Sequence, residues 1–569
     1  LAGDLDTITL KALRKSPADR YATVPALADD IERFLDGRPV LAQPDRAWYR
    51  ARKFAARNRI AVTATAAVLL ALAAGIAATT WQAVEARRER DSALFQAERE
   101  LAKGSMFTLL LGALGSAEHP LTQREILERS VTLVESRFRD DPRIAIDLLL
   151  PIAGQYMTLG ESQKELDVEQ RAFTLAQTSG DPALIALVAC NTVETDIALG
   201  RLEAAREQLR IGQQALGQLS RPELGTVTDC LNADAEVARA SADADRAIDR
   251  INEAVLRYEA AGKTRSNRYT SLLAKLSLAY RMQGNPRASY AVLEKLDRAD
   301  QSAGIPDSAD AVARRRDEAQ ILIDLGEYRA AERVLDKVVA RLEQARGAAT
   351  SPSWLAYTRG VLLLELGDFE RARGVLEAAT AQARAEGGTQ KALPIDYALA
   401  RALAALGRYD EAEHLLAGVE AGLAAAPDRY RSIAPAALRA QMLLARGATT
   451  EAVRTIEAEL SRLGYPGVRD SNQLAAALLT AADAHLAAGD APRARDLATA
   501  GVEVTQRIAR DATQSAAVGR AMLVLARTQR SLGETSTAAA TARHAEAGLA
   551  TGLGNDHPLT LEARALAGS

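Results

Sequence analysis

The side chains able to carry chemistry are few and scattered. The five histidines (His119, His414, His485, His544 and His557) show no metal-ligand spacing. His119-Pro120 and His557-Pro558 read as loop residues. No Gly-x-Ser-x-Gly elbow and no Cys/His nucleophile pairing stands out. The acids mostly dot exposed helix faces, and no catalytic, cofactor-binding or metal-binding residue is assigned. Whether the chain belongs to an enzyme is left open by these residues, and its scaffold carries more of the information.

That scaffold is helical. Apolar residues make up 48% of 569 residues and aromatics only 4%, so Ala and Leu must build the core. This suits close-packed helices better than a β-sandwich. The net charge is −3. Residues 1–59 hold 12 Lys+Arg against 8 Asp+Glu, or +4, which leaves −7 for the remainder. Neither value marks a nucleic-acid binder.

Residues Ile60 to Thr80 are 21 residues without a charge. As a helix they span roughly 31 Å, near the thickness of a bilayer's hydrocarbon core. Nine alanines and four threonines would also suit a buried helix. The flanks decide for a membrane span. Arg46, Arg50, Arg52, Lys53, Arg57 and Arg59 precede it with one acid, Asp45. After it, Arg87, Arg88 and Arg90 are balanced by Glu85, Glu89 and Asp91. Trp48, Tyr49 and Trp81 sit where amphipathic rings favour the interface. The basic excess places the N-terminal side in the cytoplasm and the rest outside it, in a single-pass inner-membrane protein. With 59 residues ahead of the apolar run, a cleaved signal peptide is not expected. The chain starts with Leu rather than Met and is expected to be part of a longer protein. Ala67, Ala71 and Gly75 share one face of the span, which would allow a homodimer.

A glycine recurs after an apolar helix end at Gly160, Gly200, Gly284, Gly326, Gly367, Gly407, Gly447, Gly489 and Gly533. The steps are 40 to 44 residues, with one double step of 84 whose vacant place holds Ala242. Such a fixed period signals a stacked array. Five residues after the mark stand Ala205, Ala247, Ser289, Ala331, Ala372, Ala412, Ala452, Ala494 and Ala538, with Glu165 the exception. Seven before it the residue is also small, except at Val193. The pattern predicts helix hairpins: glycine ends the first helix in a left-handed cap, and the small residues let the two helices approach.

Small, Gly and Ala at these offsets, with Tyr328, Phe369 and Tyr409 two residues after the turn, resemble the tetratricopeptide repeat. The resemblance covers about ten repeats, with a period near 41 rather than 34. It implies an all-α fold, an α-solenoid over residues 140–569, and a groove that takes a protein or peptide. Cys190 and Cys230 then fall on equivalent helices of neighbouring repeats. An oxidising compartment would permit a bridge. With helix axes roughly 8–10 Å apart, buried reduced thiols are expected instead.

Residues 1–40 predict a helical hairpin broken at Ser16-Pro17, with Thr23 capping the second helix and Gly37 ending it. KALRKSPADRY and the later FLDGRPV resemble the C-terminal end of bacterial serine/threonine protein kinases. The order that follows resembles receptor-type members of that family: a basic segment at 41–59, a transmembrane helix at 60–81, a helical stalk at 82–139, then repeats. By this resemblance Arg20 would pair with a glutamate upstream of residue 1. The parent would use ATP and Mg²⁺ to phosphorylate proteins. This chain has no Gly-rich loop, Lys–Glu pair, catalytic-loop Asp and Asn, or Asp-Phe-Gly, so it holds no cofactor and should be inactive alone. A non-catalytic membrane-anchored scaffold and a soluble repeat-containing regulator are the alternative readings.

Overall fold

A computed structural model describes residues 3–44, 47–115, 121–303, 309–346, 353–425 and 434–568. Asp45, Arg46, His119 and Pro120 lie outside the described residues. The chain forms two compact units, Leu1–Glu118 and His119–Ser569.

The first unit holds α1 (Asp4–Ala12), α2 (Val24–Leu35), α3 (Ala47–Arg57) and α4 (Arg59–Gly115). The Thr23 hydroxyl accepts from the Ala26 amide and starts α2, and Gly37 takes a left-handed φ of 68° after it. Asp30 knits the unit together. It is fully buried and accepts from Tyr21 Oη (2.7 Å) and from the amides of Leu41 (2.5 Å) and Ala42 (2.8 Å). Three donors on one carboxylate offset its desolvation. The basic segment is folded back as well. Val40 N donates to Tyr49 Oη (3.2 Å), and Lys53 Nζ lies 2.7 Å from Asp4. Arg20 donates to the carbonyls of Arg14 (2.6 Å) and Lys15 (3.4 Å).

Helix α4 continues well past the apolar run. Among the described residues, Arg59–Arg87 is the one stretch long and apolar enough to cross a membrane, and none of its most apolar part is buried. Its threonines carry no stranded hydroxyl. Thr65, Thr79 and Thr80 donate to the carbonyls of Ala61, Gly75 and Ile76 at 2.8–2.9 Å.

Among the described residues the second unit opens with α5 (Gln123–Arg137) and stacks ten hairpins. They are α6 (Pro142–Thr158) with α7 (Ser162–Ser179), α8 (Pro182–Ala198) with α9 (Leu202–Leu216), and α10 (Leu224–Ala240) with α11 (Ala244–Ala260). Then come α12 (Asn267–Met282) with α13 (Pro286–Ala303), and α14 (Ala309–Asp324) with α15 (Tyr328–Arg346). α16 (Ser353–Glu365) begins the sixth. The 37-residue α17 (Phe369–Ala405) serves as the second helix of the sixth and the first of the seventh, which α18 (Tyr409–Ala425) completes. α19 (Pro435–Ala445) with α20 (Thr449–Leu463), α21 (Asn472–Ala487) with α22 (Ala491–Ile508), and α23 (Ala516–Ser531) with α24 (Thr535–Leu553) follow, before α25 (Pro558–Ala567). Most helices in these pairs run 15–19 residues, which accounts for the long period.

All nine periodic glycines lie at φ between 73° and 84°, and Ala242 takes the same left-handed conformation at 60°. Each turn closes in the same way. At Gly326 the amide donates to Ile323 O (3.0 Å), and the next amide, Glu327 N, reaches Leu322 O (2.8 Å). This is the Schellman pairing that satisfies the last carbonyls of a helix.

The small residues that follow the turns are buried between the packed helices. Ala205, Ala331, Ala372, Ala412, Ala452 and Ala494 are fully buried, Ala247 nearly so and Ala538 close to it. The fourth hairpin shows the contact directly. There both positions are serine, and Ser277 Oγ lies 2.9 Å from Ser289 Oγ, each also within bonding distance of the other's carbonyl. Ala372→Leu would drive a branched side chain into this approach. A loss of about 1–3 kcal/mol is expected, centred on the sixth hairpin and its neighbours, and measurable by hydrogen exchange along the array. Unchanged protection there would contradict the assigned helix contact.

The cysteine expectation is corrected. Cys190 on α8 and Cys230 on α10 form a disulfide, with Cα atoms 4.9 Å apart. Axis separation was the wrong measure. Each Cα lies about 2.3 Å off its axis, so residues on facing sides of two helices stand some 4–5 Å closer than the axes do.

Candidate ligand groove

Successive first helices of the hairpins pack on one another more closely than successive second helices do. The first helices therefore line the inside of the curve. The curve is tight enough that the array meets itself. Ala516 N donates to Gly326 O (2.8 Å), and Ser515 Oγ donates to Leu325 O (2.6 Å). A Cβ added at Gly326 would stand 2.5 Å from Ser515 Oγ and 2.7 Å from Ala517 N. This glycine is thus demanded twice, by the turn and by the approach. Arg510 pairs with Glu327 (2.7 Å) and lies over the Tyr290 ring (4.2 Å). Arg469 reaches Asp245 (2.9 Å), and Asn472 donates to Asp324 O (2.9 Å).

The inner face carries a polar row. Six residues before the turn, seven of the ten hairpins have Glu194, Glu236, Gln320, Arg401, Gln441, Asp483 or Arg527. These side chains tie one first helix to the next. Lys275 Nζ lies 2.7 Å from Glu194 and 3.5 Å from Glu236. Gln320 donates to Thr358 Oγ1 (3.1 Å), and Gln441 donates to Thr480 Oγ1 (3.0 Å). Arg281 donates to Asp324 (2.6 Å) and Gln320 (2.7 Å).

Glu365 is the hub. It accepts from Arg401 of the next hairpin (2.6 Å) and from Arg520 of the tenth (2.5 Å), which also donates to its carbonyl (2.5 Å). Burial raises the Glu365 pKa, but the two guanidiniums outweigh it and hold the carboxyl at about 2. The Tyr328 ring lies 5.3 Å from the Arg520 guanidinium. Burial, with Glu365 beside it, pushes the Tyr328 phenol upward, so it stays a neutral donor. Asp483, in the same row, is raised to about 6 by burial against the pull of Arg527.

A cleft of about 220 Å³ opens beside this hub, lined by Leu364, Phe369, Arg401, Tyr409, Leu438 and Met442 among others. It offers apolar and aromatic walls with a guanidinium and the Gln441 amide at the edge. A second cleft, of about 570 Å³, lies near the end of the array against Arg527 and Glu562. Among the described residues no group of three or more His, Cys, Asp or Glu is set to hold a metal. The arrangement can hold an extended chain by side-chain pockets and hydrogen bonds.

The turn glycines and contact alanines sit at the hairpin bends and between the helices, not in the groove. The lining residues were not singled out from sequence. Their signal was available in the polar side chains recurring six before the glycine.

The fold and groove define an all-α solenoid of paired helices that resembles tetratricopeptide-repeat arrays. Among solved structures, the chain is similar to a Rap protein complexed with competence and sporulation factor, at 14% identity and a TM-score of 0.45, over 64% of this chain and 98% of that one. It is also similar to NprR in complex with its cognate peptide NprX, at 16% and 0.38, over 51% and 81%. Yeast Tom70 is a third, at 14% and 0.31, over 78% and 92%. No family model matches the chain, and no curated protein matches it.

Proposed function

We propose that the chain is a membrane-anchored sensor whose solenoid binds a peptide or protein segment, forming the C-terminal portion of a receptor-type serine/threonine kinase. The polar row on the inner face, with the apolar cleft beside Arg401, carries the binding part of this reading. A groove lined by part-exposed Arg, Gln and Tyr beside a 220 Å³ apolar cleft suits an extended ligand that is polar along its length and apolar at an anchor residue. The wholly exposed apolar part of α4 supports the anchor. The Cys190–Cys230 disulfide supports an oxidising compartment for the repeats, which is the side the basic flank assigns to them. The kinase part rests on the KALRKSPADRY resemblance. In that parent, ATP and Mg²⁺ would serve phosphoryl transfer in the cytoplasm, and this chain would supply none of their ligands.

One experiment has two arms. Reporter fusions at residues 45 and 300 should report opposite sides of the membrane, and the same side would remove the span. Detergent-purified chain should enrich peptides from a random display library, and Arg401→Ala/Tyr409→Ala should lose them. Equal enrichment by that variant would move the site away from this cleft.

A further inference from the structure

The outer face of α3 fits a lipid surface. Tyr49 and Lys53 lie one turn apart and fasten the helix to Val40 and Asp4. The opposite side is left uncovered. Trp48 is 80% exposed and Phe54 57% exposed, and Arg52 and Arg57 are exposed around them. No acidic residue occurs between Asp45 and Glu85. Only Asn58 separates α3 from α4, where Ile60 is 87% exposed. Two large rings flanked by cations, beside the start of an apolar helix, match the boundary between anionic headgroups and acyl chains. Indole and phenyl rings belong at that depth, and guanidiniums bond phosphate oxygens in pairs.

We infer that α3 is an interfacial helix: Trp48 and Phe54 enter the cytoplasmic leaflet while Arg52, Arg57 and Arg59 hold anionic phospholipid headgroups. The inference rests on the membrane reading of α4 and deepens it. Its consequence is positional. Because Tyr49 and Lys53 tie α3 to α1 and to the segment that Asp30 anchors, seating α3 in the interface fixes the orientation of the whole N-terminal hairpin against the membrane. A freely swivelling linker would not do so.

The test uses the full chain reconstituted in vesicles of phosphatidylcholine, alone or mixed with phosphatidylglycerol. The chain has three tryptophans, so the emission of Trp48 is taken as the difference between native chain and Trp48→Phe. The inference expects this difference emission to be blue-shifted and quenched by lipids brominated near the headgroup end of the acyl chain. Quenching should be stronger with phosphatidylglycerol and should fall in Arg52→Gln/Arg57→Gln. If the chain resists alkaline extraction but Trp48 emits as in water and is open to acrylamide, the interfacial helix is overturned and the span stands. A blue shift without bromolipid quenching would mean that protein covers the face, and would overturn it too. A chain that does not partition to vesicles at all would remove both readings.

Discussion

Glu365→Ala should destabilise the array by roughly 3 kcal/mol, at the low end of what breaking a buried ion pair costs. The two guanidiniums that converge on Glu365 come from different levels of the array. Arg401 belongs to the adjacent hairpin, and Arg520 to a hairpin 155 residues away. Removing the carboxylate leaves two cations facing each other and frees the Tyr328 hydroxyl. Both arginines keep about a third of their side chains in contact with solvent, which softens the penalty. Glu365→Gln keeps the shape and one acceptor oxygen, and should fall between native and alanine. The pH dependence has a definite sign. The folded pKa, about 2, is depressed below the ordinary glutamate value of 4.5. The stabilisation is therefore present above the ordinary value and lost as pH falls from there toward 2. Denaturant melts of native and variant chains should converge as pH drops through that window. Because Arg520 reaches from the tenth hairpin, the variant should also loosen residues 510–520, readable as faster amide exchange at Ala516. Unaltered exchange there would show that the contact between levels does not depend on this hub.

The periodic glycines and alanines were legible because each answers a local demand. A left-handed turn excludes most side chains, and a close helix crossing excludes large ones, so composition at fixed offsets reports geometry directly. Ser277 and Ser289 make the case sharply, since the one hairpin with serine at both positions uses the hydroxyls to satisfy each other. Contacts made across levels left no such trace. Nothing local distinguishes Gly326, which the Ser515 segment also requires, from Gly407, which has open space around it. Asp30 was hidden for the same reason: its donors lie 9 to 12 residues away in a segment that reads as a linker. The disulfide was within reach of the sequence, because a 40-residue separation in a 41-residue period does set the two cysteines on matching helices. What failed was the distance argument, since facing residues stand closer than axes. The groove row was equally available, but polar residues on a helix are ordinarily solvated surface, and only the curvature reveals which face turns inward.

Raising the pH should weaken the first repeats more than the rest, and Glu169→Gln should remove most of that effect. Glu165 occupies the contact position where the other hairpins carry alanine or serine, and Glu169 lies one turn further along α7. They are 5% and 4% exposed, beside Thr195 and the buried Asp196 of α8. Burial is the main cause in both: it lifts Glu165 to about 7 and Glu169 to about 8, against some relief from the Thr195 hydroxyl and with added repulsion from Glu194. Burial raises the Asp196 carboxyl too, against the pull of Arg201 3.3 Å away, and Arg201 is not among the groups acting on the two glutamates. The folded state thus binds protons that the unfolded chain has released between the ordinary value of 4.5 and about 8. Stability falls with pH wherever the folded state holds more protons. The contribution is whole below 4.5 and lost as pH rises through 7 and 8, amounting to a few kcal/mol in order of magnitude for a pair that titrates together. Glutamine keeps the neutral shape, so Glu169→Gln should match the native chain at pH 5 and exceed it at pH 8.5. Hydrogen exchange resolves the site, because loosening should appear in α6 to α8 and not at α21 or α22. Parallel pH profiles for native and variant chains would show that the carboxylates find water or a cation when charged, and that the first hairpin tolerates them ionised.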